Sequence, residues 1–208
     1  MALWALAKFW RHYLMNKMKE LDWSHVMVYL CGPMDYAKNL GVGWRNDAHA
    51  KLVKLGIKDY NVLNPCNKPL SNIAQPLSEE QKLCNELREA EDWAGLSSLM
   101  ERIIHVDLRM VDKADILIVN LSDSERTTGT IHEIVVASLA QKPIYVIDNK
   151  GKGHVSGWLF GLLGHDRIFN TLDEVIEEIR KVKEDGIMSK KDAKHYLVFD
   201  FNKREINE

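Results

Sequence analysis

The chain has 208 residues, 46% apolar and 28% charged, which is ordinary for one soluble globular domain with a sizeable core. Its net charge of −2 argues against a generic nucleic-acid-binding surface, and no apolar run approaches the roughly 20 residues of a membrane span. Three cysteines (Cys31, Cys66, Cys84) without a CxxC pair speak against structural zinc and for a reducing, cytoplasmic setting.

The apolar opening MALWALAKFW has no positive stretch before it, and Lys8 and Arg11 interrupt it, so a signal peptide is not expected. Residues 2–21 carry Leu3, Trp4, Leu6, Phe9, Trp10, Tyr13, Leu14 and Met18 at helical spacing, with basic residues between. The pattern predicts an amphipathic helix that packs on the domain or a second subunit, with a membrane-surface helix as the alternative. Residues 1–22 are set apart as this helix, 23–186 as an α/β domain and 187–208 as a polar tail.

Residues 25–31 (HVMVYLC) read as the first core strand, broken by Gly32-Pro33. A glycine-containing loop leads to a helix over 44–55 that Gly56 ends. Residues 60–63 (YNVL) form a second short strand, stopped by Asn64-Pro65. Residues 67–78, with Pro69 and Pro76, read as a loop or lid. Helices are expected over 79–91 and 93–113, with a break near Ala94-Gly95.

The run 115–121 (DILIVNL) is continuously apolar and rich in branched residues, as suits a strand covered on both faces. Polar residues 122–128 follow, then a helix over 129–141 closed by Lys142-Pro143. Residues 143–148 (PIYVID) give a further strand, and 149–164, with five glycines, reads as mostly loop. A short edge strand is expected at 167–169 and an amphipathic helix over 171–185, with Thr171 and Glu174 as a capping box. Residues 196–201 (YLVFDF) suit an edge strand or a cover for a neighbouring subunit. Strand and helix alternate throughout, so the fold class is α/β with a mostly parallel sheet.

Ligands in such sheets bind at the carboxyl ends of strands, beside helix N-termini. Asp107, Thr127, Thr128, Gly129 and Glu133 fall there. Thr130-x-x-Glu133 before an apolar run is a capping-box pattern, in which Glu133 folds back onto a backbone N–H. The functional reading makes Glu133 a carboxylate nucleophile in the first helical turn, kept ionised by the helix's positive end. Asp107 reads either as a solvated helix carboxylate, or partner of Arg109, or as a second carboxylate facing Glu133. Two carboxylates flanking an anomeric carbon are what glycosidic-bond chemistry needs. Thr127, Thr128 and Gly129 form an ordinary turn or a phosphate cradle, though not a Walker loop. Tyr29 is a core tyrosine or a phenol turned into the cleft. The eight histidines show no metal-ligand spacing, and no metal or cofactor is expected.

Several segments together resemble the nucleoside 2-deoxyribosyltransferase superfamily, which includes the deoxynucleoside 5'-monophosphate N-hydrolases. They are VYLCGPM from Val28, the Trp44-Arg45 helix start ending at Gly56, VLNP from Val62, Asp107 with Asp115 eight residues on, and TTGTIHE followed by A-x-x-x-x-KP. The resemblance implies a Rossmann-like fold of about five strands flanked by helices, and cleavage of an N-glycosidic bond in a nucleoside or nucleotide. It implies Glu133 as nucleophile, Asp107 assisting at base or sugar, Tyr29 orienting the nucleophile, and Cys31, Gly32 and Pro33 lining the base pocket. It also implies a homo-oligomer whose neighbouring subunit completes the site, from the segment that 151–164 occupies here, although no residue there matches clearly.

Deoxyribosyltransferases acting on free nucleosides often carry an aspartate six positions before the nucleophile, and the monophosphate hydrolases a serine. Here the residue is Thr127, whose hydroxyl can donate to a phosphate that a carboxylate would repel. The expected substrate is therefore a (deoxy)nucleoside 5'-monophosphate, cleaved by hydrolysis or base transfer. Transfer between free nucleosides is the nearest alternative. A non-catalytic nucleotide-binding module and a docking protein built on the N-terminal helix remain from other classes.

Overall fold

The computed structural model describes residues 22–34, 37–68, 77–122 and 128–185. The expected N-terminal helix, the polar tail with its apolar run, and most of the 67–78 loop lie outside these residues, as does Thr127.

Five strands form one sheet: β1 (Val28–Cys31), β2 (Val62–Leu63), β3 (Ile116–Asn120), β4 (Ile144–Ile147) and β5 (Ile168–Phe169). They run in the order β2-β1-β3-β4-β5, and every pair is parallel. Six helices accompany them among the described residues: α1 (Val42–Lys54), α2 (Leu77–Glu89), α3 (Trp93–Lys113), α4 (Thr128–Leu139), α5 (Gly157–Leu163) and α6 (Leu172–Asp185). The expected α/β architecture is therefore present, in a Rossmann-like arrangement.

Alternation along the strands builds two cores. Val28, Leu30, Ile116, Ile118, Tyr145 and Ile147 face one side and pack with Ala48 and Leu52 of α1 and Val175, Ile179 and Val182 of α6. Tyr29, Cys31, Leu117, Val119, Ile144 and Val146 face the other, with Val106, Met110 and Val111 of α3, Ile134 and Ala137 of α4, and Leu159 and Leu163 of α5. The period of two thus sends Tyr29 and Cys31 to the same side as α4. A slip of one residue in β1 would turn both away from it.

Strand order reverses between β1 and β3, since β2 lies on one side of β1 and β3 to β5 on the other. That switch point opens a crevice beyond the carboxyl ends of β1 and β3, the usual ligand position in open α/β sheets.

A buried arginine shapes the β1 side of the crevice. Arg45, fully buried in α1, donates to the carbonyls of Leu30 (3.1 Å), Gly32 (2.6 Å), Leu40 (3.3 Å) and Gly41 (3.1 Å). The backbone at Asn39, Leu40 and Gly41 is left-handed, with φ of 50°, 54° and 68°. Such a conformation is unfavourable for leucine and persists only where neighbours fix it. Gly41 is required for space as well, because a Cβ there would stand 2.5 Å from Arg45 Nη1 and 2.8 Å from Pro33 O.

Several expected bounds shift for local reasons. The break between α2 and α3 falls at Ala90–Asp92 rather than Ala94-Gly95, because Asp92 caps α3 by accepting from Gly95 N at 2.9 Å. The glycine-rich stretch after β4 is not mostly loop. Ser156 caps α5 there, and Leu159 and Leu163 anchor it in the core. The capping box before α6 is present, with Glu174 N donating to Thr171 Oγ1 and Thr171 N to Glu174 Oε2, both at 3.2 Å.

Replacing Arg45 would leave four buried or half-buried carbonyls without their donor. Arg45→Met is expected to lower the unfolding free energy by roughly 2–4 kcal/mol in urea titration. A loss below about 0.5 kcal/mol, the scale of an ordinary surface substitution, would contradict this role.

Candidate active site

Glu133 projects from α4 towards β1 and is 9% exposed. Its Oε1 accepts from Tyr29 Oη at 2.7 Å, and its Oε2 accepts from Cys31 Sγ at 2.8 Å. The capping-box reading of Thr130 and Glu133 is overturned by this geometry. The helix already begins at Thr128, so Thr130 lies inside it, and the Glu133 carboxylate is directed at two β1 side chains rather than at the backbone. The earlier start also places Glu133 beyond the first turn, where the influence of the helix end fades.

Burial raises the Glu133 carboxyl above the ordinary carboxylate range. The Cys31 and Tyr29 hydrogen bonds oppose that rise, as do the charges of Arg45 and His132. Burial, reinforced by the charge of Glu133, pushes both the Tyr29 phenol and the Cys31 thiol well up. Both therefore keep their protons and serve as donors, so Cys31 is no thiolate nucleophile.

Asp107 projects from α3, is buried, and lines the same cavity as Glu133. The solvated-carboxylate reading is therefore excluded, and Arg109 pairs instead with Asp112 at 2.7 Å. Among the described residues Asp107 Oδ1 has no hydrogen-bond partner, and it lies 3.7 Å from Lys68 Nζ. Burial pushes its carboxyl up to about 7, the charges of Glu133 and Glu80 add to the rise, and Lys68 opposes it.

The cavity measures about 550 Å³. Gly32 and Pro33 line it from the β1 side, Thr128, Gly129 and Glu133 from α4, and Asp107 from α3. Thr128 and Gly129 are exposed at its rim, and the space around Gly129 is open. Cys31 is not a lining residue, and its thiol supports Glu133 from behind the wall. The structure thus brings Tyr29, Cys31, Gly32, Pro33, Asp107, Thr128, Gly129 and Glu133 to one crevice, while Thr127 falls outside the described residues.

A model of the nucleoside 2-deoxyribosyltransferase family matches residues 28–171, more than half of the chain. The chain belongs to that family. No curated protein matches it. Nucleoside 2-deoxyribosyltransferases are enzymes of glycosyl transfer and N-glycosidic bond cleavage, and two carboxylates in one crevice suit that chemistry. No group of side chains among the described residues is arranged to hold a metal ion, and no helix among them is long and apolar enough to cross a membrane.

Sequence reasoning missed Lys68, Glu80 and the role of Arg45. It also missed the soft far wall of the cavity, formed by Met34, Leu40, Cys84, Met100, Ile103 and Ile104. A weak signal existed for Glu80, which sits one helical turn before Cys84 on a stripe that turns inwards. Lys68 follows the carboxyl end of β2, where ligand-facing residues gather.

The raised Asp107 carboxyl has a consequence for stability. Below about pH 4 the folded and unfolded chains both carry the proton, and the group costs nothing. As pH rises towards 7 the unfolded chain ionises first, so folding loses stability, and the loss is complete above about 7. Asp107→Asn is expected to gain stability over the parent across that window, by up to about 4 kcal/mol. Urea titrations at pH 4 and pH 8 measure it, and a difference between the two proteins that does not change with pH would contradict the buried, proton-bearing state.

Proposed function

We propose that the enzyme cleaves the N-glycosidic bond of a (deoxy)nucleoside 5'-monophosphate through a covalent glycosyl–Glu133 intermediate. The observation that carries this reading is the Glu133 carboxylate held on both oxygens by Tyr29 and Cys31 at the wall of a cavity it shares with Asp107. Two donors favour the ionised form, which a nucleophile needs, and fix the direction of attack. Asp107, raised to about 7, is matched to carrying a proton near neutrality.

In the first step a Glu133 oxygen bonds to the anomeric carbon as the bond to the base nitrogen breaks. The electron pair of that bond leaves with the base, and Asp107 delivers its proton to the base. In the second step a water oxygen attacks the anomeric carbon, its proton returns to Asp107, and Glu133 departs as the carboxylate. A second base attacking through its own N–H nitrogen completes transfer with the same proton movement. Hydrolase and transferase differ only in which acceptor reaches the intermediate.

The 5'-phosphate reading rests on the rim of the cavity. Thr128 and Gly129 open α4 there, and the N–H groups and positive end of a helix N-terminus favour an anion where small residues allow it close. Thr127 adjoins them in the sequence and adds a hydroxyl. Glu80, Asp107 and Glu133 also line the cavity, so the phosphate must keep to the threonine side. This acidic lining is the observation that favours the alternative, transfer between free nucleosides.

Product analysis on a panel of nucleosides and their 5'-monophosphates tests the reading. The expected products are free base with sugar phosphate, or an exchanged base when a second base is present. Thr127→Ala is expected to weaken monophosphate binding about ten- to a hundredfold, the loss of one hydrogen bond to a charged group, and Thr127→Asp to weaken it further, both sparing the nucleoside. Parent enzyme that prefers the free nucleoside would overturn the phosphate reading and favour the alternative.

A further inference from the structure

Lys68 and Glu80 form a buried ion pair beside Asp107. The Lys68 side chain is only 4% exposed, and its ammonium donates to both oxygens of Glu80, at 3.1 and 2.9 Å. Asp107 Oδ1 stands 3.7 Å from the same ammonium, too far for a hydrogen bond, and has no other partner among the described residues. One cation thus faces two carboxylates in a space from which water is largely excluded. If both were ionised the trio would carry an uncompensated buried negative charge, which is costly. The least costly arrangement gives the cation to one carboxylate and a proton to the other. The hydrogen bonds assign the cation to Glu80.

We propose that Lys68 and Glu80 are positioning residues which, by pairing with each other, leave Asp107 holding the proton that it delivers into the cavity. The delivery rests on the reading of Asp107 as the acid of the reaction; the distribution of charge and proton within the trio does not. The other charged groups acting on Asp107 are Glu133 of α4, which favours the proton, and Arg45 of α1, which opposes it. Tyr29, Cys31 and Cys66 also interact with Asp107, and burial keeps all three neutral. Residues 69–76, which follow Lys68, contain no charged side chain.

The two members of the pair have opposite effects. Glu80→Gln removes a repelling charge and frees the ammonium for Asp107, so the aspartate loses its proton more readily. Lys68→Met removes the only described cation within 4 Å of the aspartate, so the proton is held more tightly. A purely structural ion pair would lower stability in both variants without moving the Asp107 titration in opposite directions.

The test is a carbon-13 NMR titration of aspartate-labelled enzyme without substrate, with the Asp107 resonance assigned by its loss in Asp107→Asn. The expected midpoint falls by about one pH unit in Glu80→Gln and rises by a similar amount in Lys68→Met. A midpoint that stays within about 0.3 pH units in both, or moves the same way in both, overturns the proposal. The alkaline limb of kcat/KM, followed in parallel, should move with the midpoint, so that Glu80→Gln loses about tenfold at pH 8. Midpoints that move while the limb stays fixed would support the proton assignment and count instead against Asp107 as the acid, so the two failures are distinguishable.

Discussion

Keeping a carboxylate ionised inside a protein is the constraint on which the proposed chemistry depends. An isolated buried carboxylate takes up a proton, and a protonated carboxyl is a poor nucleophile. At Glu133 the remedy comes from β1, whose alternate residues Tyr29 and Cys31 bring an O–H and an S–H to the two oxygens. That supply requires β1 in register beside β3, with α4 packed on the face that the odd-numbered residues of β1 present. The guanidinium of Arg45 adds positive charge from the other side of the strand while tying down the loop that leaves it. The same burial that threatens Glu133 keeps the Tyr29 and Cys31 protons in place, so acceptor and donors stabilise one another.

Asp107 follows the opposite course. It is buried with no hydrogen-bond donor to Oδ1 among the described residues, and its proton is held to about pH 7. In the proposed mechanism the two carboxylates of the cavity take different tasks, Glu133 with its two donors as the anion and Asp107 as the acid. The arrangement is expensive for folding, since Asp107 weakens the native state at neutral pH. Strain of this kind is common where function and stability compete.

The family's sequence pattern divides into chemistry and scaffold once the contacts are known. Asp115 accepts from Met27 N at 2.8 Å and fastens the start of β3 to the start of β1. Lys142 donates to the carbonyls of Val111 and Ala114, both at 2.7 Å, and to that of Asp112, closing the carboxyl end of α3. Gly32 fits between the carbonyl of Asn120, where a Cβ would stand 3.0 Å away, and the Trp44 ring at 3.1 Å. The fold was legible because apolar runs and glycine or proline breaks report directly on strands and turns. The position of Glu133 was legible from the pattern around it, but its environment was not. A capping glutamate and one turned into a cleft share the Thr-x-x-Glu spacing, and the start of α4 at Thr128 together with the contacts of the carboxylate to Tyr29 and Cys31 separates them. Lys68 and Glu80 each left a weak positional cue, but their pairing left none, since it joins a loop to a helix and depends on tertiary packing rather than on any local period.

The most direct measurement of the central claim is the identity of the residue that becomes glycosylated. A 2'-fluoro-substituted nucleoside 5'-monophosphate slows release of the sugar and lets the covalent intermediate accumulate. Digestion and mass spectrometry should then find the fluorinated sugar phosphate on the peptide that contains Glu133, and should find no adduct in Glu133→Gln. An adduct on Asp107 or any other side chain, or full turnover of the natural substrate by Glu133→Gln, would contradict the assignment of Glu133 as the nucleophile.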